Sequence, residues 1–199
     1  VADVRRPKNR RGEGGRLRDE IVQAAAEILE ETGSEDAVTL RGVARRVGVS
    51  APALYDHFTG PGAILAAVLE RAFAQFEEAL RAADAAGAPT ERLEALAQAY
   101  LRFALEQPHA YRTMFDRRRG EGTEEMTQTK APQDLLGAAA FGLLVDAVAA
   151  ASPGTTDPML DATVMWVGLH GYATLRDAVP AFPWPEEDAV LPRLLPRTQ

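Results

Sequence analysis

The chain has no cysteine among its 199 residues. That excludes disulfides, thiolate metal sites and cysteine nucleophiles, and makes a reducing cytoplasm the simplest expected compartment. Histidine is scarce: His57, His109 and His170 are all there are, which leaves little for acid–base chemistry. Apolar runs are broken by charge too early to span a bilayer, and the first follows a basic, glycine-containing stretch unlike a signal peptide. Neither a P-loop nor a Gly-x-Ser-x-Gly elbow is present. Strand-type alternation and solenoid repeats are also missing. These absences predict a soluble, all-α, cytoplasmic protein that is not an enzyme, with no catalytic residues, no metal, no cofactor and no membrane partner.

What is present is charge, unevenly spread. The formal net charge of −7 argues against a polyanionic partner only if position is ignored. Residues 1–18 carry seven basic side chains (Arg5, Arg6, Lys8, Arg10, Arg11, Arg16, Arg18) against Asp3 and Glu13. The stretch through Phe58 is balanced, so the remainder of the chain holds the whole negative excess. A basic arm precedes an acidic body.

Apolar residues recur at helical spacing almost throughout. Leu17, Ile21, Ala25, Ile28 and Leu29 predict a first helix stopped at Gly33. Leu40, Val43, Ala44 and Val47 predict a short one between Thr39 and Gly48. Ser50 is placed to cap a third helix of about two turns, with Pro52 tolerated in its first turn. A long amphipathic helix is expected from Ala63, after Thr59-Gly60-Pro61-Gly62, to Gly87. Further helices are expected from Leu93 to the Gln107-Pro108 break, over Asp134 to Ala151 and over Pro158 to Ala178, with a short aromatic segment, His109 to Phe115, following that break. Asp116 to Gln133 is charged and glycine-containing, a candidate mobile surface loop, and the tail after Val179 is rich in proline.

The stretch from Thr39 to Phe58 reads as helix, glycine turn, helix. Val43, Ala44, Val47, Val49 and Leu54 can close a small core while the start of the second helix stays exposed. A helix-turn-helix uses this arrangement to put its second helix into the major groove, and Arg41, Arg45 and Arg46 supply charge for phosphates. Ala44, Gly48-Val49-Ser50 and Leu54-Tyr55-x-His57-Phe58, at this place in the chain, resemble the TetR family of bacterial regulators over roughly residues 16 to 65. The resemblance implies double-stranded operator DNA as partner, with base contacts from Ala51, Pro52 and Ala53 beside Ser50. It implies phosphate contacts from Tyr55 and His57 and backbone contacts from Thr39 and Arg41. One departure stands out: Gly60-Pro61-Gly62 occupies the place where the family usually has a basic residue near the start of its fourth helix.

The resemblance also implies a small-molecule effector and a homodimer. The expected organisation is a basic arm (1–15), a three-helix helix-turn-helix domain (16–62) and a larger helical ligand-binding and dimerisation domain (63–199). Pro158 to Ala178 is apolar nearly all round and is expected to be buried on several sides. Gly137, Ala138 and Gly142 in the preceding helix permit close approach, so two helices per subunit suit a four-helix interface. Trp166-x-x-x-His170-Gly171 resembles the Trp-His-Gly signature of one TetR subclass, and the two rings share a helix face. They either line an effector cavity or form a packed, hydrogen-bonded core pair. Tyr100, Phe103, Tyr111 and Phe141, with Met114 and Phe115, are the other candidates for the cavity wall. Without a basic cluster among these helices, a neutral or cationic lipophilic effector is expected.

Two rival readings are weaker. Glu106-Gln107-Pro108-His109 has the Glu-x-x-His spacing of di-iron bundles, but it lacks a second copy and Pro108 interrupts the helix. An architectural DNA binder without effector would leave the long acidic, aromatic half with dimerisation alone. The arm supplies a direct test. Deleting residues 1–14 should lower DNA affinity and flatten its dependence on salt, because fewer phosphates are neutralised and fewer counterions released. An unchanged slope of log affinity against log salt would make the arm a bystander.

Overall fold

A computed structural model describes residues 14–84, 87–115 and 136–196. The basic arm before residue 14 and the expected loop Asp116 to Gln133 lie outside them. The described residues hold nine α-helices and no strand, and the chain divides into two compact units, residues 1–72 and 73–199.

The first unit is built on α1 (Gly14–Thr32). Leu17, Ile21, Ala25 and Ile28 fall on one face and are buried, Ile21 and Ala25 completely. The outer face carries the pairs Arg16–Glu20 and Gln23–Glu27. Gly33 ends the helix in the left-handed region at φ 63°, where its N–H bonds the Leu29 carbonyl at 2.8 Å. A 3-10 turn (Glu35–Ala37) leads to α2 (Leu40–Val47). Thr39 caps α2, its Oγ1 accepting from the Gly42 N–H at 3.1 Å. Gly48 closes it at φ 77°, a conformation that costs other residues strain.

Next, α3 (Ala51–Leu54) is a single turn, shorter than the two turns its flanking signals predict. The chain leaves the helix at Tyr55 because Leu54 and Phe58 must both turn inward, and both are buried. Ser50 stands at the cap position in extended backbone, but its side chain makes no cap bond. The long helix α4 (Pro61–Ala83) starts two residues before the expected Ala63. Proline fits its first turn, since an N–H there would have no intrahelical partner. Ile64, Ala67 and Val68 of α4 join the core made by α1, α2 and α3, and the boundary between the units falls inside this helix.

The second unit contains α5 (Pro89–Glu106), α6 (Pro108–Phe115), α7 (Ala138–Ala151), α8 (Pro158–Ala178) and α9 (Glu187–Leu194). Helix α5 packs on α7 and α8, α7 packs on α8, and α9 lies across α5 and α8. Proline opens α5, α6 and α8, and Asp157 caps α8 by accepting from the Leu160 N–H at 3.0 Å. The proline-rich tail forms α9 with Pro192 inside it. Tail and α8 are tied together: Tyr172 donates to the Pro185 carbonyl at 3.0 Å and Trp184 to the Val179 carbonyl at 2.9 Å. Gly168 of α8 lets α9 come close, since a Cβ there would sit 2.8 Å from Leu194 Cδ2.

Helix α8 departs from the expectation of burial on several sides. Ala162, Met165, Leu169, Tyr172 and Ala173 are buried, yet Leu160, Val164, Val167 and Leu175 are more than half exposed. Spaced at four, three and eight residues, the exposed four form one stripe along the helix. Gly171 completes it, with open space where a Cβ would be.

Candidate nucleic-acid interface and effector site

In the first unit the Gly48 turn sets α3 against α2, and Leu54, fully buried, holds α3 in place. Thr39, Ser50, Pro52 and Tyr55 are exposed, while Ala51, Ala53 and His57 are half-buried. Tyr55, at 60% exposure, offers its whole phenol to solvent. Because the Thr39 hydroxyl already accepts the Gly42 N–H, its own proton is left to donate outward.

Arg41 and Arg45 lie one turn apart on α2, both exposed, and enter no ion pair among the described residues. Arg46 behaves differently from the phosphate ligand expected of it. Its guanidinium grips Glu31 with two hydrogen bonds of 2.9 and 2.5 Å and reaches Glu27 at 3.5 Å. The hydrogen bond to Glu31 raises the arginine's pKa, and its counterpart lowers that of Glu31. Arg46 therefore staples α2 to α1. Sequence spacing does not reveal this, because the partners lie fifteen and nineteen residues away. Arg18 is likewise engaged, its guanidinium 4.9 Å from the centre of the Phe58 ring.

In the second unit the expected effector residues form one connected network. Trp166 Nε1 donates to the Tyr100 hydroxyl at 3.1 Å, the Tyr100 and Tyr111 hydroxyls are 2.5 Å apart, and Tyr111 lies 2.7 Å from His170 Nδ1. One order of protons uses every donor: indole to Tyr100, Tyr100 to Tyr111, Tyr111 to a His170 Nδ1 that carries no proton. Reversing the last two bonds would leave the Tyr100 proton without an acceptor among the described residues. Tyr100 and Tyr111 are buried. Desolvation pushes the Tyr100 phenol up to about 12 and the Tyr111 phenol further still, the latter also raised by the neighbouring Tyr100.

Around this chain the rings pack in edge-to-face and tilted pairs. Phe141 meets Trp166 at 5.7 Å, and Phe115 meets His170 at 4.7 Å and Tyr111 at 4.9 Å. Phe103 is linked through Phe76, which stands 5.1 Å from both Phe103 and Tyr100. Phe76 was visible in the sequence only as part of the α4 stripe. Trp166 and His170, both half-buried, are thus linked through the hydroxyls of Tyr100 and Tyr111.

Open space lies beside the rings: a crevice of about 530 Å³ is lined by Ala104, Pro108, Tyr111, Arg112, Thr174 and Asp177, among others. Arg112 bridges it, 3.3 Å from Asp177 and 2.6 Å from His109 Nδ1. Neither Arg112 nor Asp177 carries a periodic signal that singles it out. Glu106 ends α5 and His109 sits in α6, so the Glu-x-x-His pair does not share a helix. Among the described residues no cluster of acidic and histidine side chains could hold a metal ion, and no helix is long and apolar enough to cross a membrane.

Comparison with known proteins bears on both units. Residues 21–68 match the family model of bacterial regulatory proteins of the tetR family, and residues 93–195 match that of the tetracyclin repressor-like C-terminal domain. A solved structure of a protein of unknown function from Rhodococcus sp. RHA1 is 30% identical. It superposes with a TM-score of 0.75 over 93% of this chain and 94% of its own. The uncharacterized HTH-type transcriptional regulator YobS of Bacillus subtilis is 34% identical over 96 residues, 46% of this chain and 47% of YobS. The nucleoid occlusion factor SlmA of Aliivibrio fischeri is 34% identical over 100 residues, 49% of this chain and 50% of SlmA. The chain spans about half the length of the curated relatives it matches.

The hydroxyl chain generates a stability prediction. Tyr111→Phe removes the hydroxyl that joins Tyr100 to His170 Nδ1 and should destabilise the second unit by about 1–3 kcal/mol. Urea unfolding would show this as a lower midpoint at unchanged slope. For the unmodified protein the sign follows from phenols whose folded pKa lies above the unfolded value of 10.0. Their contribution is complete below pH 10 and is lost as pH rises through about 12. Alkaline melts of Tyr111→Phe should lose less stability over that window than those of the unmodified protein.

Proposed function

The chain belongs to the TetR family of bacterial regulatory proteins, and on that premise we propose that this transcriptional regulator is a cytoplasmic repressor. It binds operator DNA as a homodimer and releases it when a small lipophilic effector occupies the second unit. The observation that carries the DNA reading is the α2–Gly48–α3 corner, whose exposed Arg41, Arg45 and Tyr55 are uncommitted while Arg46 is spent on α1. Thr39 and Arg41 meet the backbone, Ser50, Ala51, Pro52 and Ala53 face base edges, and Tyr55 and His57 hold phosphates. The missing basic residue at Gly60-Pro61-Gly62 is offset by the basic arm and by backbone N–H groups at the start of α4.

Dimerisation is supported by the outer stripe of α8. Leu160, Val164, Val167 and Leu175 expose more apolar surface than a helix keeps in water without a partner. Exposed Ala139, Ala149 and Ala150 of α7, with Gly142 open to solvent-side space, extend the patch with small residues. Two copies of α7 and α8 make a four-helix interface. Functionally, residues 16–62 serve DNA contact, residues 63–199 serve effector binding and dimerisation, and the arm (1–15) serves phosphates.

The effector is proposed to lodge against Tyr100, Phe103, Tyr111, Phe141, Trp166 and His170, entering by the crevice at Tyr111. Its 530 Å³ falls in the range of small-molecule sites, roughly 300–1,000 Å³. Recognition helices of a dimer must stand about 34 to 36 Å apart to enter successive major grooves. An effector that prefers another spacing, transmitted through α4 and its glycine–proline start, draws the population off DNA. A tenfold loss of affinity needs only about 1.4 kcal/mol of coupling.

Two measurements test the proposal. Val164→Glu with Val167→Glu should give a monomer by sedimentation at unchanged helicity, with operator affinity down more than about tenfold, since a lone half-site forfeits the second set of contacts. A persistent dimer would place the interface elsewhere. For the effector, compounds that raise the melting temperature are titrated by calorimetry with and without operator. Linkage requires that operator weaken effector binding by the factor by which effector weakens operator binding. Equal affinities would rule out the allosteric model.

A further inference from the structure

Resting on the DNA-binding reading, we infer that the recognition helix discriminates bases through the 5-methyl group of thymine, packed against Ala51, Pro52 and Ala53, and not through side-chain hydrogen bonds. The starting observation is chemical. The three side chains at the exposed start of α3 are two methyls and a pyrrolidine ring, with neither donor nor acceptor among them. In the major groove, guanine, adenine and cytosine are told apart by hydrogen-bonding edges, and bidentate arginine, asparagine or glutamine side chains read them. Nothing at positions 51 to 53 can do so. The apolar feature a base pair presents there is the thymine methyl, and small apolar side chains are what it packs against.

The local fold strengthens the case. Helix α3 has a single turn, and Leu54 and Phe58 behind it are buried at 0% and 5% exposure, so the helix cannot roll to present another face. Pro52 is exposed and Ala51 and Ala53 half-exposed. With no long side chain to hold it off, the helix backbone can approach the groove floor to van der Waals distance. The polar groups nearby are placed for other work. Arg41 and Arg45 stand on α2, the helix that crosses the backbone in this motif, and Tyr55 and His57 follow α3. Ser50 alone, free of a cap bond, adds a single hydroxyl, which both donates and accepts and so selects weakly.

The methyl effect has a definite size. Burying one methyl-sized group is worth about fourfold in affinity, so each methyl contact should contribute about that factor, well below what a bidentate contact gives. Contacts from the basic arm in the minor groove would be indifferent to it, because the 5-methyl projects into the major groove.

The test uses the full chain and a duplex enriched from a random pool. Each thymine is replaced in turn by deoxyuridine, which removes the methyl and keeps the pairing edge. One to three positions per half-site should lose about fourfold in affinity, while thymines outside the half-sites lose nothing. In Pro52→Ala, which keeps a helix-compatible residue, the loss at one of those positions should shrink toward onefold, a coupling that a merely weakened protein would not show. 5-Methylcytosine at a methyl-reading position should bind more tightly than cytosine. An enriched duplex indifferent to every deoxyuridine, or losses undiminished in both Pro52→Ala and Ala53→Gly, would overturn the inference and leave the DNA-binding reading standing. If no duplex is enriched at all, that reading fails and the inference with it.

Discussion

A helix that is apolar on two faces must find two partners, and α8 organises the second unit around that requirement. Its inner face, Ala162, Met165, Leu169 and Ala173, is covered by α5, α7 and α9. The same helix also carries the indole and imidazole of Trp166 and His170, whose polar atoms cannot enter an apolar interior alone. Tyr100 from α5 and Tyr111 from α6 supply the missing partners, which fixes both helices relative to α8. Burial of the rings and satisfaction of their hydrogen bonds are thus one condition met by four residues. Among the described residues, the outer face has no partner in its own unit.

Charge follows a similar economy in the first unit. Among the described residues of α1 and α2, the cations divide into those held by the protein and those facing solvent. Glu31 and Glu27 retain Arg46, Phe58 retains Arg18 and Glu20 retains Arg16. Arg41 and Arg45 remain. A chain with net charge −7 can meet a polyanion with few free cations because potential at a surface depends on where charges stand and not on their sum. Exposed pairs such as Arg46–Glu31 contribute little to stability, so their larger effect is to decide which arginines are available.

Features set by local backbone chemistry were legible in the sequence. Gly33 and Gly48 occupy the left-handed positions that end helices, α2 begins after Thr39, and Pro158 opens α8. Tyr100, Phe103, Tyr111, Phe141, Trp166 and His170 stand in the sequence as candidates for a cavity wall, and the structure brings their rings into contact, Phe103 through Phe76. What was not legible depends on tertiary partners. Helix α3 is cut to one turn by the inward demand of Leu54 and Phe58, and the Ser50 signal for a cap goes unused. The tail was legible only as rich in proline, and contacts of Leu191 and Leu194 with the bundle outweigh the backbone bond lost at Pro192 of α9. The capture of Arg46 by α1 and the Arg112–Asp177 bridge join residues with no periodic relation, and one sequence holds no trace of such pairings.

The seat that Gly168 provides for Leu194 has a consequence for how the protein comes into being. The core of the first unit draws only on residues between Leu17 and Val68, so it can close early while the chain is still being synthesised. The second unit cannot complete its packing until α9 has emerged and laid Leu194 over Gly168. On the ribosome, a folded helix-turn-helix would precede the unit proposed to control it. Until α9 arrives, the α8 surface around Gly168 stays uncovered, which makes that interval the one most exposed to premature association between nascent chains.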